Sequence, residues 1–156
     1  MFPFENGTCK GECTGELLLD ILEFSVSIAP GEFGGFQQVS GLRFEYDPNI
    51  PSPVVYNANH DFDGVKGERR VKKVEILNRK TGKCEPLQLD KTYSFAASSY
   101  LAIDHGDGFA MMERCTNIQV AGVLDTDIIQ SFLENYKKNH VGTEYEGTEG
   151  RIKVIK

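Results

Sequence analysis

The sequence predicts an α+β domain in which a mixed β-sheet packs against helices. Three observations predict it. Segments with period-two alternation recur along the chain, two stretches carry apolar residues at helical spacing, and 156 residues with 40% hydrophobic content suffice for one buried core. No internal repeat, low-complexity tract or linker divides the chain, so residues 1–156 read as a single domain. Lys and Arg total 17 against 23 Asp and Glu, a net charge of −6, which gives no basic field for a phosphate backbone and excludes nucleic acid as an expected partner. No run of about 18 apolar residues is present, so no membrane span is expected. The start, Met1-Phe2-Pro3-Phe4, has no basic and apolar leader pattern; it already reads as apolar and strand-like, as in a piece of something longer.

The elements run in order. Gly7 to Cys13 reads as a strand. Thr14 can cap a helix through Gly15–Phe24, because its hydroxyl can accept an orphan first-turn amide, and Pro30-Gly31 then stops it. Apolar residues cover most of that helix, with Asp20 and Glu23 on the remaining stripe, so it should lie largely buried between layers. A glycine-rich bend comes next, Gly31-Glu32-Phe33-Gly34-Gly35-Phe36, and then Leu42–Tyr46 alternates as a half-buried strand. Pro48, Pro51 and Pro53 sit among Asn, Asp and Gly, so Asp47–Glu68 is expected to be a long surface loop. Arg70–Ile76 and Leu87–Leu89, separated by a turn at Asn78–Gly82, should form a hairpin. Lys91–Ala97 is a further strand, and Asp104–Phe109 is turn-rich. Ile128, Ile129, Phe132, Leu133 and Tyr136 recur at helical spacing opposite Gln130, Glu134, Lys137 and Lys138, the clearest amphipathic pattern in the chain. Ile152–Ile155 closes as a terminal strand.

Chemistry-bearing patterns are sparse. Cys9, Cys13, Cys84 and Cys115 lack the close pairs of a structural zinc site. Residues four apart on a strand lie about 13 Å apart, so Cys9 and Cys13 should not bridge each other while the strand is intact. They read as small buried or half-buried thiols, with pairing to Cys84 or Cys115 open for a secreted protein. Asn6-Gly7-Thr8 is a glycosylation triplet, meaningful only in a secreted eukaryotic protein. His60, His105 and His140 fall in loops or at a helix end without metal-ligand spacing, and His140 is best placed as a cation near a helix C-terminus. Asp61-Phe62-Asp63-Gly64 has a calcium-loop flavour, but its glycine comes too early and the later Glu is missing, which favours a solvated loop. Ser98-Ser99 has no neighbouring base. The distinctive feature is a pair of glycine-framed aromatics, Gly34-Gly35-Phe36 and Gly106-Asp107-Gly108-Phe109. Turns of this kind can hold rings out of a sheet, and two such rings could sandwich a planar ligand.

An ordered set of segments resembles the C-terminal domain of the 5'-nucleotidase family, which includes ecto-5'-nucleotidases and periplasmic UDP-sugar hydrolases. They are Phe2-Pro3-Phe4-Glu5-Asn6, Cys13-Thr14-Gly15-Glu16-Leu17, Gly35–Leu42 followed by Phe44–Asp47, Arg70–Val74, Leu89–Tyr93, Tyr100-Leu101-Ala102, Gly106–Phe109 and Glu149–Ile152. The resemblance spans nearly the whole chain. It implies a nucleotide- or nucleoside-binding domain whose base stacks between two aromatic rings, carried onto Phe36 and Phe109, with Gly108 and Asp107 shaping the loop. It also implies an N-terminal metallophosphatase domain as partner, bearing two divalent metal ions and the hydrolytic chemistry. No motif of that domain is in this sequence, nor is the family's Asn-Gly-Gly-x-Arg stretch. This chain is therefore expected to hold no cofactor and to be inactive alone, as one portion of an extracellular or periplasmic hydrolase. Against the family's NGGDG, His105 replaces the first glycine and Ile103-Asp104 lengthens the approach. The competing expectation is a non-catalytic interaction or structural module with both Phe rings in the core.

Overall fold

The computed structural model describes residues 4–137, 140–143 and 146–155. Met1, the Phe2-Pro3 start of the family-like opening, and Lys138 of the amphipathic pattern lie outside the described residues. The expected α+β domain is present, with its strands in three sheets. β1 (Gly7–Thr14) runs at the centre of a three-stranded antiparallel sheet, between β7 (Thr92–Ser98) and β8 (Thr116–Leu124). A second sheet has the order β6 (Lys83–Pro86), β5 (Val71–Asn78), β2 (Leu42–Tyr46), β9 (Ile152–Val154). Its β2–β9 pair is parallel, which makes it a mixed sheet. β3 (Val54–Tyr56) and β4 (Phe62–Val65) form a separate hairpin.

Helix α1 (Gly15–Ser25) starts directly from β1 and joins the layers. Thr14 Oγ1 accepts the Leu17 amide at 3.2 Å, as its sequence position predicts. Two further orphan amides find partners in the chain entering β7: Gly15 N–H donates to the Lys91 carbonyl and Glu16 N–H to that of Leu89, both at 2.9 Å. This close approach explains the glycine, since a Cβ on residue 15 would lie 2.1 Å from the Gln88 carbonyl oxygen. Thr14→Ala should cost about 1 kcal/mol, read as a lower urea midpoint at unchanged slope; an unchanged midpoint would show that the cross-chain bonds suffice.

Leu17 and Phe24 enter one apolar cluster with Cys9, Cys13, Phe62, Phe109, Met111 and Met112. Leu22 and Val26 enter a second with Phe44, Tyr46, Val71 and Val74. α1 is thus buried between layers as expected, but its polar stripe is not at the surface. Glu23 is fully buried, and its carboxylate accepts the backbone amides of Arg70 (2.7 Å) and Val71 (3.1 Å). Asp20 is buried between Arg69 (2.6 Å) and Arg114 (2.8 Å). The buried Arg70 guanidinium donates to the carbonyls of Val26, Ser27, Ala29 and Ile50. It therefore satisfies acceptors left over where α1 ends.

Other elements differ from or add to the reading of the sequence. Asp47–Glu68 is not one long loop, because Val54–Tyr56 pairs with Phe62–Val65 around an Asn57 turn. In that turn Asn57 Oδ1 accepts the amides of Asn59 and Asp61. The partner of β5 is Lys83–Pro86 rather than Leu87–Leu89, since Gly82 at φ 69° closes a tight turn that sets Asn78 opposite Lys83. β8 is a strand that the sequence pattern does not predict. Helix α3 (Asp125–Asn135) forms where the amphipathic pattern lies, and Asp127 Oδ2 accepts the Leu124 amide at its start. Its apolar side is not buried, however: Ile128 is 47% and Tyr136 79% exposed. His140 lies beyond its last turn.

Candidate functional site

The site is built from three segments that converge at the end of the first cluster: the glycine-rich bend after α1, the turn of the β3–β4 hairpin, and the Gly106–Gly108 turn after β7. β7 passes into a short helix, α2 (Ser99–Ala102), whose N-cap Ser98 accepts the Leu101 amide. That use of Ser98 is local and structural. Tyr100 on α2 lies over Gly106, where a Cβ would come within 2.1 Å of its ring, so the turn requires glycine there. His105 (φ 54°) and Asp107 (φ 55°) both adopt the left-handed conformation. Such non-glycine residues persist only where surroundings over-determine them. Here Tyr100 Oη donates to Asp107 Oδ1 at 3.0 Å, while Oδ2 faces Gly34 in the neighbouring bend. Gly108, at φ 84°, leaves room against Phe24 and the His60 carbonyl, each 3.2 Å from an added Cβ. The hydrogen bond to Asp107, followed by that carboxylate's charge, holds the Tyr100 phenol above its ordinary pKa. Asp107 is exposed, Gly108 half-buried, and Tyr100 40% exposed.

The two rings named from the sequence are not brought together. Phe109 is 1% exposed and stands in the first cluster, with Phe24 edge-on at 4.8 Å. Phe36 is half-buried against the second cluster. The Phe36 amide donates to the Phe33 carbonyl at 3.0 Å, which closes a tight turn in this bend. The ring that does face Phe109 is Phe33, parallel to within 5° at a centroid distance of 6.3 Å. Gly35 passes beside both, with room for no side chain: a Cβ would lie 2.6 Å from Phe33 and 2.8 Å from Phe109. Asp107 is therefore flanked by Tyr100 on its own loop and by the Phe33-Gly34 bend opposite. Both segments were visible in the sequence, one in the glycine-rich bend and the other just before the Asp107 turn. What the sequence did not show is that Phe33, and not Phe36, is the ring lying parallel to Phe109.

The remaining candidates are quickly placed. Asp61 and Phe62 belong to the β3–β4 hairpin, with Phe62 buried. Among the described residues, no group of three or more His, Cys, Asp or Glu side chains is arranged to hold a metal ion, and no helix is long and apolar enough to cross a membrane.

The profile described as 5'-nucleotidase, C-terminal domain, matches residues 1–114. An apyrase of Aedes aegypti is 34% identical over 139 residues, covering 87% of this chain and 22% of the relative. A 5'-nucleotidase of Mus musculus is 31% identical over 158 residues, covering 98% of this chain and 23% of the relative. Among solved structures, a 5'-nucleotidase precursor from Thermus thermophilus superposes with a TM-score of 0.75 at 30% identity, covering 98% of this chain and 26% of that one. The chain thus spans about a quarter of the length of the relatives it matches. The family profile over residues 1–114, together with relatives and a fold that match over 87–98% of the chain, makes this chain a member of the 5'-nucleotidase C-terminal domain family.

Proposed function

We propose that this domain binds the nucleoside part of a nucleotide beside Asp107, with the base against the rings of Phe33 and Tyr100. The observation that carries this reading is the carboxylate itself: an exposed acceptor with a partly exposed aromatic side chain on either side. Stacking on a base is tolerant of base identity and worth about 1–3 kcal/mol per base. The carboxylate, which accepts hydrogen bonds and donates none, suits ribose hydroxyls or an exocyclic amine. Hydrolysis then belongs to a two-metal centre on a metallophosphatase domain outside this chain, and the present domain supplies binding and orientation of the substrate. An extracellular or periplasmic location goes with this reading. Burial of Phe109 favours the structural alternative for that ring alone.

The test is a ligand-observed NMR titration with AMP, adenosine and UMP. Binding is expected in the millimolar range, about −4 kcal/mol, since the phosphate-binding partner domain is absent from the chain. Phe33→Ala and Tyr100→Ala should each weaken it by about tenfold, corresponding to roughly 1.4 kcal/mol, whereas Phe36→Ala should leave it unchanged. Undiminished binding by a folded Phe33→Ala, Tyr100→Ala double variant would overturn the proposal.

A further inference from the structure

We propose that Cys13 and Cys115 form a cross-strand disulfide when the chain folds in an oxidising medium, tying the loop that carries Asp107 to the central strand of the first sheet. The ladder between β1 and β8 runs to Glu12 opposite Thr116, and the next position on each side is a cysteine. Cys13 is still within β1, and the Cys115 backbone is extended at φ −70°, ψ 151°. Residues directly opposite in an antiparallel ladder have Cα atoms about 4.5–5.5 Å apart. A disulfide accepts about 4.4–6.8 Å. Both side chains point into the same apolar cluster, Cys13 as a buried member and Cys115 packed against it.

The other two thiols are placed differently. Cys9 is also buried, but its Sγ is directed at the opposite neighbour strand, toward the carbonyls of Ala97 (3.5 Å) and Ser98 (3.9 Å). Cys84 lies on β6 in the other sheet. In the structure all four are free thiols. Burial pushes Cys13 up to about 12, with Cys115 adding to the shift; burial also pushes Cys115 up to about 11, with Arg114 opposing the shift and Cys9 adding to it, so Cys9 is the competing partner that the ladder register disfavours. Since the thiolate is the attacking species, the bond should form before the core closes rather than on the folded surface.

The oxidant is a low-molecular-weight disulfide such as oxidised glutathione. One cysteine thiolate attacks it and releases the first glutathione thiol; the second cysteine then attacks the mixed disulfide and releases the other. Two protons and two electrons leave the protein, and one glutathione disulfide becomes two glutathiones. Cys115 follows the 3-10 turn Ala110–Arg114, which follows Phe109, so the bond would anchor the Asp107 segment from its C-terminal side.

The chain is unfolded with reductant, refolded in a glutathione redox buffer or in dithiothreitol, and alkylated under denaturing conditions. Trypsin cuts after Lys10 and Arg114, so Cys9, Cys13 and Cys115 fall on separate peptides. In the glutathione sample the Cys13 and Cys115 peptides should appear linked, with Cys9 and Cys84 alkylated, the intact mass lowered by two hydrogens and the urea midpoint raised. Cys9→Ser should keep the link and Cys115→Ser should abolish it. Alkylation of all four thiols, or a Cys9–Cys115 link in the wild type, would overturn the inference.

Discussion

Replacing Arg70 by alanine is expected to lower stability by about 3–5 kcal/mol, since several buried carbonyls lose a charged donor at once. The guanidinium satisfies four carbonyls, those of Val26, Ser27, Ala29 and Ile50, from a side chain that is itself buried. Each acceptor left without a donor costs about 1–3 kcal/mol unless water enters. Three of those carbonyls lie where α1 runs into the following turn, so the loss should reach the bend that presents Phe33. Lysine would restore a charge but not the planar fork that reaches carbonyls in different directions, and Arg70→Lys should recover only part of the stability. Urea unfolding of the three proteins measures this. A loss below about 1 kcal/mol for Arg70→Ala would mean that water takes over the carbonyls.

The second large effect is expected at Phe109. Truncation to alanine should cost about 3–5 kcal/mol, as for other fully buried aromatic side chains. Phe24 packs edge-on against this ring and Phe33 lies parallel to it, so a cavity there removes support from both. Phe109→Leu, which keeps much of the volume, should cost less, and a folded Phe109→Leu protein should still bind nucleotide. If instead Phe109→Ala unfolds near the wild-type midpoint while nucleotide binding disappears, Phe109 acts as a ligand-facing ring and not as core.

These two positions show what was legible in the sequence. The helix after Thr14 and the strands around residues 7–13, 42–46, 70–76 and 91–97 were readable because cap chemistry and periodicity agreed with the final packing. β3 and β4 were hidden by brevity: three- and four-residue strands among prolines carry almost no period. β8 was hidden by irregularity. Asn117 at φ 53° and register shifts against β1 interrupt its alternation, and Gly122 at φ 67° interrupts it again. The partners of Asp20 and Glu23 were not legible, because the arginines and backbone amides that meet them come from distant segments. The family was legible from the order of its motifs. The burial of Phe109 was not, because a glycine-framed Phe only sets where the backbone turns. Whether the ring then faces solvent or core depended on Phe24, which fills the space beneath Phe109.

The parallel seating of β9 against β2 has a bearing on synthesis. Phe44 N–H donates to the Arg151 carbonyl and Ile155 N–H to that of Tyr46, contacts that join segments far apart in the chain. During vectorial emergence from a ribosome, β2 can pair with β5 early but keeps one open edge until β9 arrives. Non-local pairing of this kind is slow, and an open strand edge is a template for other chains. A chain in which β9 has not yet docked would therefore leave the β2 edge of its second sheet open to self-association, so solubility of this domain rests on the three residues that cover that edge.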